Sequence, residues 1–291
     1  MKKIGLTLSG GGLRGLAHLG VLKALYENGF YPDIVTGTSM GSIVAGLYAV
    51  GLNHHELMDV VYSTNSFILD PNILGVLKSL LTFKIPSGFI KGNKIEKLLN
   101  NKTNNINIKD IKEVKIAIVA TNLNGGENII FTNGNFKNSG KDIFINDIIL
   151  SKAIRASISI PIVFKPILVN NYVLIDGGVV NNCPIDLAQM LGAEIIISSD
   201  ISYNGKKIND PKNGKDIISN TLGVLLKEAY SDDHLGISVP KIDIKLDELD
   251  DIPFLAFSHN NFNKTIQYGY EKTLEVISEI KLALQANFKT F

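Results

Sequence analysis

The sequence predicts an α/β fold, a three-layer α/β/α arrangement around a mostly parallel sheet. Short β-rich runs alternate with longer helical patterns, as a chain must when parallel strands are joined by crossover helices. The first two apolar runs, 4–8 and 33–35, are each followed by a glycine-containing turn and then by a helical pattern. The 291 residues are 45% hydrophobic and 20% charged, which suffices for a core without disulfide or metal staples.

Taken in order, Ile4 to Leu8 reads as a strand because it is short, apolar and closed by glycines. A glycine loop comes next, then a helix over 16–28. Residues 33–35 form the next strand, with a helix after Ser39. Residues 115–120 and 128–132 read as strands about an Asn-Gly-Gly turn, with further strands at 172–175 and 194–198. The Asn-rich stretch 100–107 and the polar stretch 203–215 read as loops. Helices at 216–230 and 263–288 complete the last third. There is no internal repeat, low-complexity tract or proline-rich linker, so we read 1–291 as one domain, with the chemistry-bearing motifs in about the first 200 residues.

Composition excludes some classes of function. A formal net charge of +1 gives no bulk attraction to nucleic acid. The only cysteine, Cys183, sits in N-N-C-P-I without a neighbouring histidine and reads as structural. One cysteine permits no internal disulfide, which fits a reducing, cytoplasmic setting. The longest apolar runs fall well short of the ~18–20 residues a membrane span needs. The opening M-K-K resembles a signal peptide, but its apolar run ends at Leu8 and Arg14 interrupts the glycine-rich stretch after it, so we read it as part of the fold. His54-His55 lie in a polar turn, and that pair alone makes no metal site. The acidic run 247–251 reads as a solvated loop. The stretch 83–89 reads equally as an apolar flap, a membrane-touching segment or ordinary packing.

Three short motifs carry candidate chemistry. The first is Gly37-Thr38-Ser39-Met40-Gly41, between a strand and a helix. A sharp turn there lifts the Ser39 hydroxyl out of the backbone, while Gly37 and Gly41 relieve crowding on either side. The rival reading makes Ser39 a helix N-cap. The second is Ser9-Gly10-Gly11-Gly12-Leu13-Arg14-Gly15. Glycines let N–H groups converge on one point and admit a ligand, and a helix N-terminus adds positive potential. That suits the oxyanion of an acyl-transfer intermediate, with Arg14 fixing the loop or adding charge. Gly10, Gly12 and Gly15 also satisfy G-x-G-x-x-G, so a dinucleotide site is a rival. That site wants an acidic residue at the end of the second strand, whereas Asp33 lies at its beginning. The third is Asp176-Gly177-Gly178 after an apolar strand, readable as an exposed catalytic base or as an Asp-Gly hairpin turn.

As a set, in this order and spacing, the three motifs resemble the patatin-like phospholipase family. Phe89-Ile90-Lys91-Gly92, Ala120-Thr121-Asn122-Leu123 and Arg155-Ala156-Ser157-Ile158-Ser159-Ile160-Pro161 resemble further landmarks of that family. One departure is Asn122, where many members carry Asp. The resemblance covers about the first 200 residues well and the last third loosely. It implies a patatin-like fold and a lipid acyl hydrolase of phospholipase A, lysophospholipase or esterase type. It implies Ser39 as nucleophile and Asp176 as base, without histidine. Gly10, Gly11 and Gly12, supported by Arg14, would form the oxyanion hole, and Gly15, Gly37, Gly41, Gly177 and Gly178 would shape the motifs. No metal or cofactor is implied. The implied partners are a lipid or acyl-ester substrate and, peripherally, a membrane surface. The competing classes are a silent lipid-binding protein on the same fold and a dinucleotide-binding enzyme.

Overall fold

The computed structural model describes residues 2–63, 70–72, 87–201, 236–246, 249 and 259–286, with the single positions 214, 217, 221 and 224. Among these, nine strands form one sheet. They are β1 (Ile4–Leu8), β2 (Ile34–Thr38), β3 (Lys115–Asn122), β4 (Asn128–Thr132), β5 (Asp142–Ile145), β6 (Ile167–Val169), β7 (Tyr172–Asp176), β8 (Ile195–Asp200) and β9 (Lys241–Lys245). The order across the sheet is β5-β4-β3-β2-β1-β8-β9, with β7 joined to β3 and β6 to β7. The run β3-β2-β1-β8-β9 is parallel throughout, while β4 and β7 pair antiparallel with β3, β5 pairs parallel with β4, and β6 pairs antiparallel with β7.

Each central strand is buried on both sides, which explains why apolar residues run along it, joined by Gly, Thr and Ser, without an alternating charged face. Side chains alternate between two layers. Leu6, Leu8, Val35, Ile116, Ile118, Ile195 and Ile197 join the larger layer, with α1 (Ala17–Glu27), α2 (Met40–Ala49), α5 (Leu150–Ser157) and the long α7 (His259–Gln285). Ile34, Ala117, Val119, Ile130 and Ile196 face the other way and meet Ile185, Leu187 and Ala188 of α6 (Ile185–Met190). Helices therefore flank a mostly parallel sheet, as the sequence predicts.

The differences have local causes. His54 and His55 do not lie in a turn but open α3 (His54–Ser63). A capping box starts that helix: Asn53 Oδ1 accepts from His55 and Glu56 N–H, and Glu56 Oε2 accepts from Asn53 N–H at 2.8 Å. Residues 100–102 finish α4 (Asn93–Lys102) rather than starting a loop. The short strands β5 and β6 carry too little pattern for the sequence to announce them, whereas the outer strand β9 alternates as Lys-Ile-Asp-Ile-Lys, with both isoleucines buried, a signal the sequence reading missed. Cys183 is fully buried, with Sγ 3.6 Å from Ser198 Oγ, as expected of a structural cysteine. Nearly all of the predicted loops 203–215 and 247–251 and of the predicted helix 216–230, and residues 83–86, lie outside the described residues; of the described positions, 214 is helical and Leu249 is buried.

Candidate active site

The register of β3 brings Ser39 and Asp176 together. One edge of β3 carries β4. The other carries β2 as far as Thr38 opposite Val119, and then β7, running the other way, with Asp176 opposite Ala120. The two strands thus meet end to end on consecutive residues of β3. Ser39 follows the last residue of β2, and its Oγ donates to Asp176 Oδ2 at 2.7 Å.

Ser39 sits at φ 53°, ψ −123°, a region that a residue with a Cβ enters only when its surroundings force it. Its side chain makes no capping bond to α2, so the N-cap reading of the hydroxyl fails. The glycines beside it are required by space. A Cβ on Gly37 would lie 2.5 Å from the Gly41 carbonyl oxygen, and one on Gly41 would lie 2.1 Å from that of Leu8. The Ser39 carbonyl accepts from Ser42 N–H and Ser42 Oγ. The helix α2 therefore starts directly beneath the hydroxyl and contributes positive potential there.

Asp176 is 3% exposed. Its Oδ1 accepts from Gly178 N–H at 2.9 Å, leaving Oδ2 for Ser39. Burial pushes its pKa up to about 6, against the lowering effect of the bonds from Ser39 and Gly178. A carboxyl poised there is a far better base near neutral pH than an exposed aspartate. The chain after Asp176 does not turn back as a hairpin. It enters a short 3-10 turn, Gly177–Val179, and goes on to α6. A Cβ on Gly177 would strike the Val119 carbonyl oxygen at 2.2 Å.

The glycine loop borders the pair. A Cβ on Gly10 would approach Ser39 Cβ to 3.1 Å, and one on Gly15 would meet Met40 Cγ at 2.3 Å. Gly12 has φ 59° and opens a 3-10 turn that carries the half-buried Arg14 and runs into α1. The three glycines are not equivalent. Gly10 N–H donates to the Asn182 carbonyl at 3.0 Å and is spent on the fold. Among the described residues no bond takes the N–H of Gly11 or Gly12. Asp33 stands at the start of β2, where Oδ2 accepts from Ile4 N–H at 2.8 Å, far from the glycine loop's ligand side. The carboxylate a dinucleotide site needs at the other end is replaced by Ser39.

Three residues named only as landmarks prove to organise the site. Ser157 Oγ accepts the Ser39 N–H at 2.9 Å, and the Ser159 carbonyl accepts the Asp176 N–H at 3.0 Å. Arg155, fully buried, donates to Ser159 Oγ at 2.6 Å and to the carbonyls of Lys91 and Lys165. One short segment therefore holds both members of the pair. Their signal in the sequence was polarity: an Arg and two Ser inside an otherwise apolar helix end.

A sequence profile of the patatin-like phospholipase family matches residues 6–188, a span that takes in the glycine loop, Ser39 and Asp176. The chain belongs to that family. This patatin-like protein is 31% identical over 198 residues to the lysophospholipase NTE1 of Kluyveromyces lactis, covering 68% of this chain and 12% of that one. It is 30% identical over 208 residues to the uncharacterized NTE family protein Rv1063c of Mycobacterium tuberculosis, covering 70% of this chain and 50% of that one. The chain thus spans half or less of the length of these relatives. VipD from Legionella pneumophila has a similar fold, with a TM-score of 0.55, 14% identity, and coverage of 96% of this chain and 67% of that one.

Proposed function

We propose that the patatin-like protein hydrolyses carboxylic esters of lipids through a Ser39–Asp176 dyad. The observation that carries the reading is the 2.7 Å bond from Ser39 Oγ to a buried carboxylate, made at a strained turn that offers the hydroxyl no capping role. Asp176 Oδ2 takes the Oγ proton as Oγ attacks the ester carbonyl carbon. The carbonyl oxygen becomes an oxyanion, which the N–H groups of Gly11 and Gly12 receive, with Arg14 and the start of α2 adding positive potential. Gly10 contributes the space. Asp176 returns its proton to the departing alcohol, leaving an acyl-Ser39. Water then gives a proton to Asp176 and attacks the acyl carbon, and Ser39 leaves with that proton as the fatty acid departs. No histidine takes part.

The substrate class follows from the family and from the relative named a lysophospholipase: a long-chain acyl ester of a glycerophospholipid. Among the described residues no helix is long and apolar enough to cross a membrane. Phe89, Leu123, Ile162 and Leu168 are exposed, Leu123 just after β3, Leu168 within β6, and Phe89 beside Ile162, whose carbonyl accepts its N–H; we assign them contact with the lipid surface. The test is labelling with a fluorophosphonate probe, followed by peptide mass spectrometry. A probe adduct on Ser39, lost in Ser39→Ala with the fold intact, is the expected result. A folded protein that neither labels nor releases fatty acid from phospholipid would be a silent binder instead.

A further inference from the structure

Two buried polar side chains outside the dyad grip the glycine loop. His18 lies within α1 and is fully buried among that helix's apolar residues. Its Nε2 is 2.9 Å from the Ser9 carbonyl oxygen, and its Nδ1 is 2.8 Å from Ser199 Oγ. A carbonyl can only accept, so Nε2 carries the proton and Nδ1 accepts from the Ser199 hydroxyl. Burial lowers the His18 pKa to about 4, which keeps the ring neutral and this tautomer in place. Ser9 is bound on its other atoms as well: its N–H donates to the Ser199 carbonyl, and its Oγ accepts from Ile201 N–H.

Asn182, also fully buried, takes Gly10 from the opposite side. Its backbone carbonyl accepts Gly10 N–H at 3.0 Å, and its Nδ2 donates to the Gly10 carbonyl at 3.3 Å. A trans peptide directs its C=O and N–H in opposite directions. The Ser9–Gly10 plane is therefore held at both ends, by His18 and by the Asn182 carbonyl. In the next plane Asn182 Nδ2 holds the Gly10 C=O, which turns the Gly11 N–H away from Asn182. Nothing among the described residues accepts that N–H.

We propose that His18 and Asn182 are positioning residues for the oxyanion site, setting the two peptide planes around Gly10 so that the Gly11 N–H meets the substrate's carbonyl oxygen. The proposal rests on Ser39 being the nucleophile. It also accounts for a histidine and an asparagine in places where apolar side chains would be easier to bury. Asn182 lies six residues after Asp176 in the chain, so the same loop that carries the base orients the donor.

The test compares wild type, His18→Leu, His18→Gln and Asn182→Leu by fluorophosphonate labelling rate and by kcat and KM on a p-nitrophenyl ester, each per folded molecule. Gln places an amide N–H near the position of Nε2–H, whereas Leu offers none. A misaimed donor should lower kcat by about 100-fold in His18→Leu, with little change in KM. His18→Gln should return to within about tenfold of wild type. A wild type that does not label on Ser39 overturns the catalytic reading and this one with it. A wild type that labels, with His18→Leu equally fast per folded molecule, overturns the positioning alone. If His18→Leu does not fold, the other two variants decide. Wild-type kcat in Asn182→Leu, or a His18→Gln as slow as Asn182→Leu, would count against the proposal.

Discussion

Replacing Asp176 with Asn should stabilise the fold while removing turnover. Burial lifts the Asp176 pKa from 3.8 to about 6, so the folded state holds this proton more tightly than the unfolded chain does. Above pH about 6 the ionised carboxylate therefore opposes folding. The rise from 3.8 to about 6, at about 1.4 kcal/mol per pH unit, makes that opposition about 3 kcal/mol. Asparagine keeps an acceptor for Gly178 N–H and turns its Nδ2 toward Ser39 Oγ. It gives up roughly one hydrogen bond, about 1 kcal/mol, leaving a net gain of about 2 kcal/mol. The gain is fully present above pH about 6, falls as the folded carboxyl takes up its proton, and is gone below pH about 4.

Urea unfolding followed by circular dichroism at pH 8 and at pH 5 measures this. At pH 5 the opposition is about half its size at pH 8, so the two unfolding midpoints should draw together. The same variant should show no fluorophosphonate labelling and no fatty-acid release. A variant no more stable than wild type at pH 8, or one whose advantage is the same at both pH values, would refute the buried-charge reasoning. A variant that keeps its turnover would refute the base assignment.

Labelling of Ser39 should rise with pH and level off above about 6, because only the ionised Asp176 accepts the proton; a flat profile from pH 4.5 to 8 would exclude Asp176 as base. Gly41→Ala should push α2 off the Leu8 carbonyl, 2.1 Å from the added Cβ, and slow labelling by about 100-fold, with wild-type speed as the refuting result. Gly269→Ala places a Cβ 2.1 Å from the Ala17 carbonyl, where α7 crosses α1, and should destabilise the fold by about 1–3 kcal/mol in urea unfolding; an unchanged midpoint would show that the helices separate freely. Hydrolysis of a long-chain ester should speed up as it passes from monomers to vesicles, and equal rates would point to a soluble ester as the substrate.

Ser39 and Asp176 were legible because each sits where the chain does something locally unusual. A serine between glycines after a strand and an aspartate before two glycines leave a mark within five residues. What joins them leaves none. They are 137 residues apart, and their meeting depends on β7 succeeding β2 along one edge of β3, a register that no local pattern encodes. The departure at Asn122 has a local reason, within the turn between β3 and β4: its Nδ2 donates to Glu127 Oε2 at 2.7 Å, which an ionised aspartate cannot do. The residues to which the sequence alone assigned no role in the site share one trait. His18 in A-H-L-G-V-L, and Arg155, Ser157 and Ser159 in R-A-S-I-S-I-P, are polar groups inside apolar stretches, and all four are fully buried. Taking such a group out of water is costly unless it finds a partner, so each one implies a specific partner somewhere in the fold. Here Ser157 accepts the Ser39 N–H and His18 donates to the Ser9 carbonyl, while Arg155 and the Ser159 hydroxyl bind each other beside the Ser159 carbonyl that accepts the Asp176 N–H. A polar residue that interrupts an apolar helix therefore points toward what holds a site, where glycines point to the site itself.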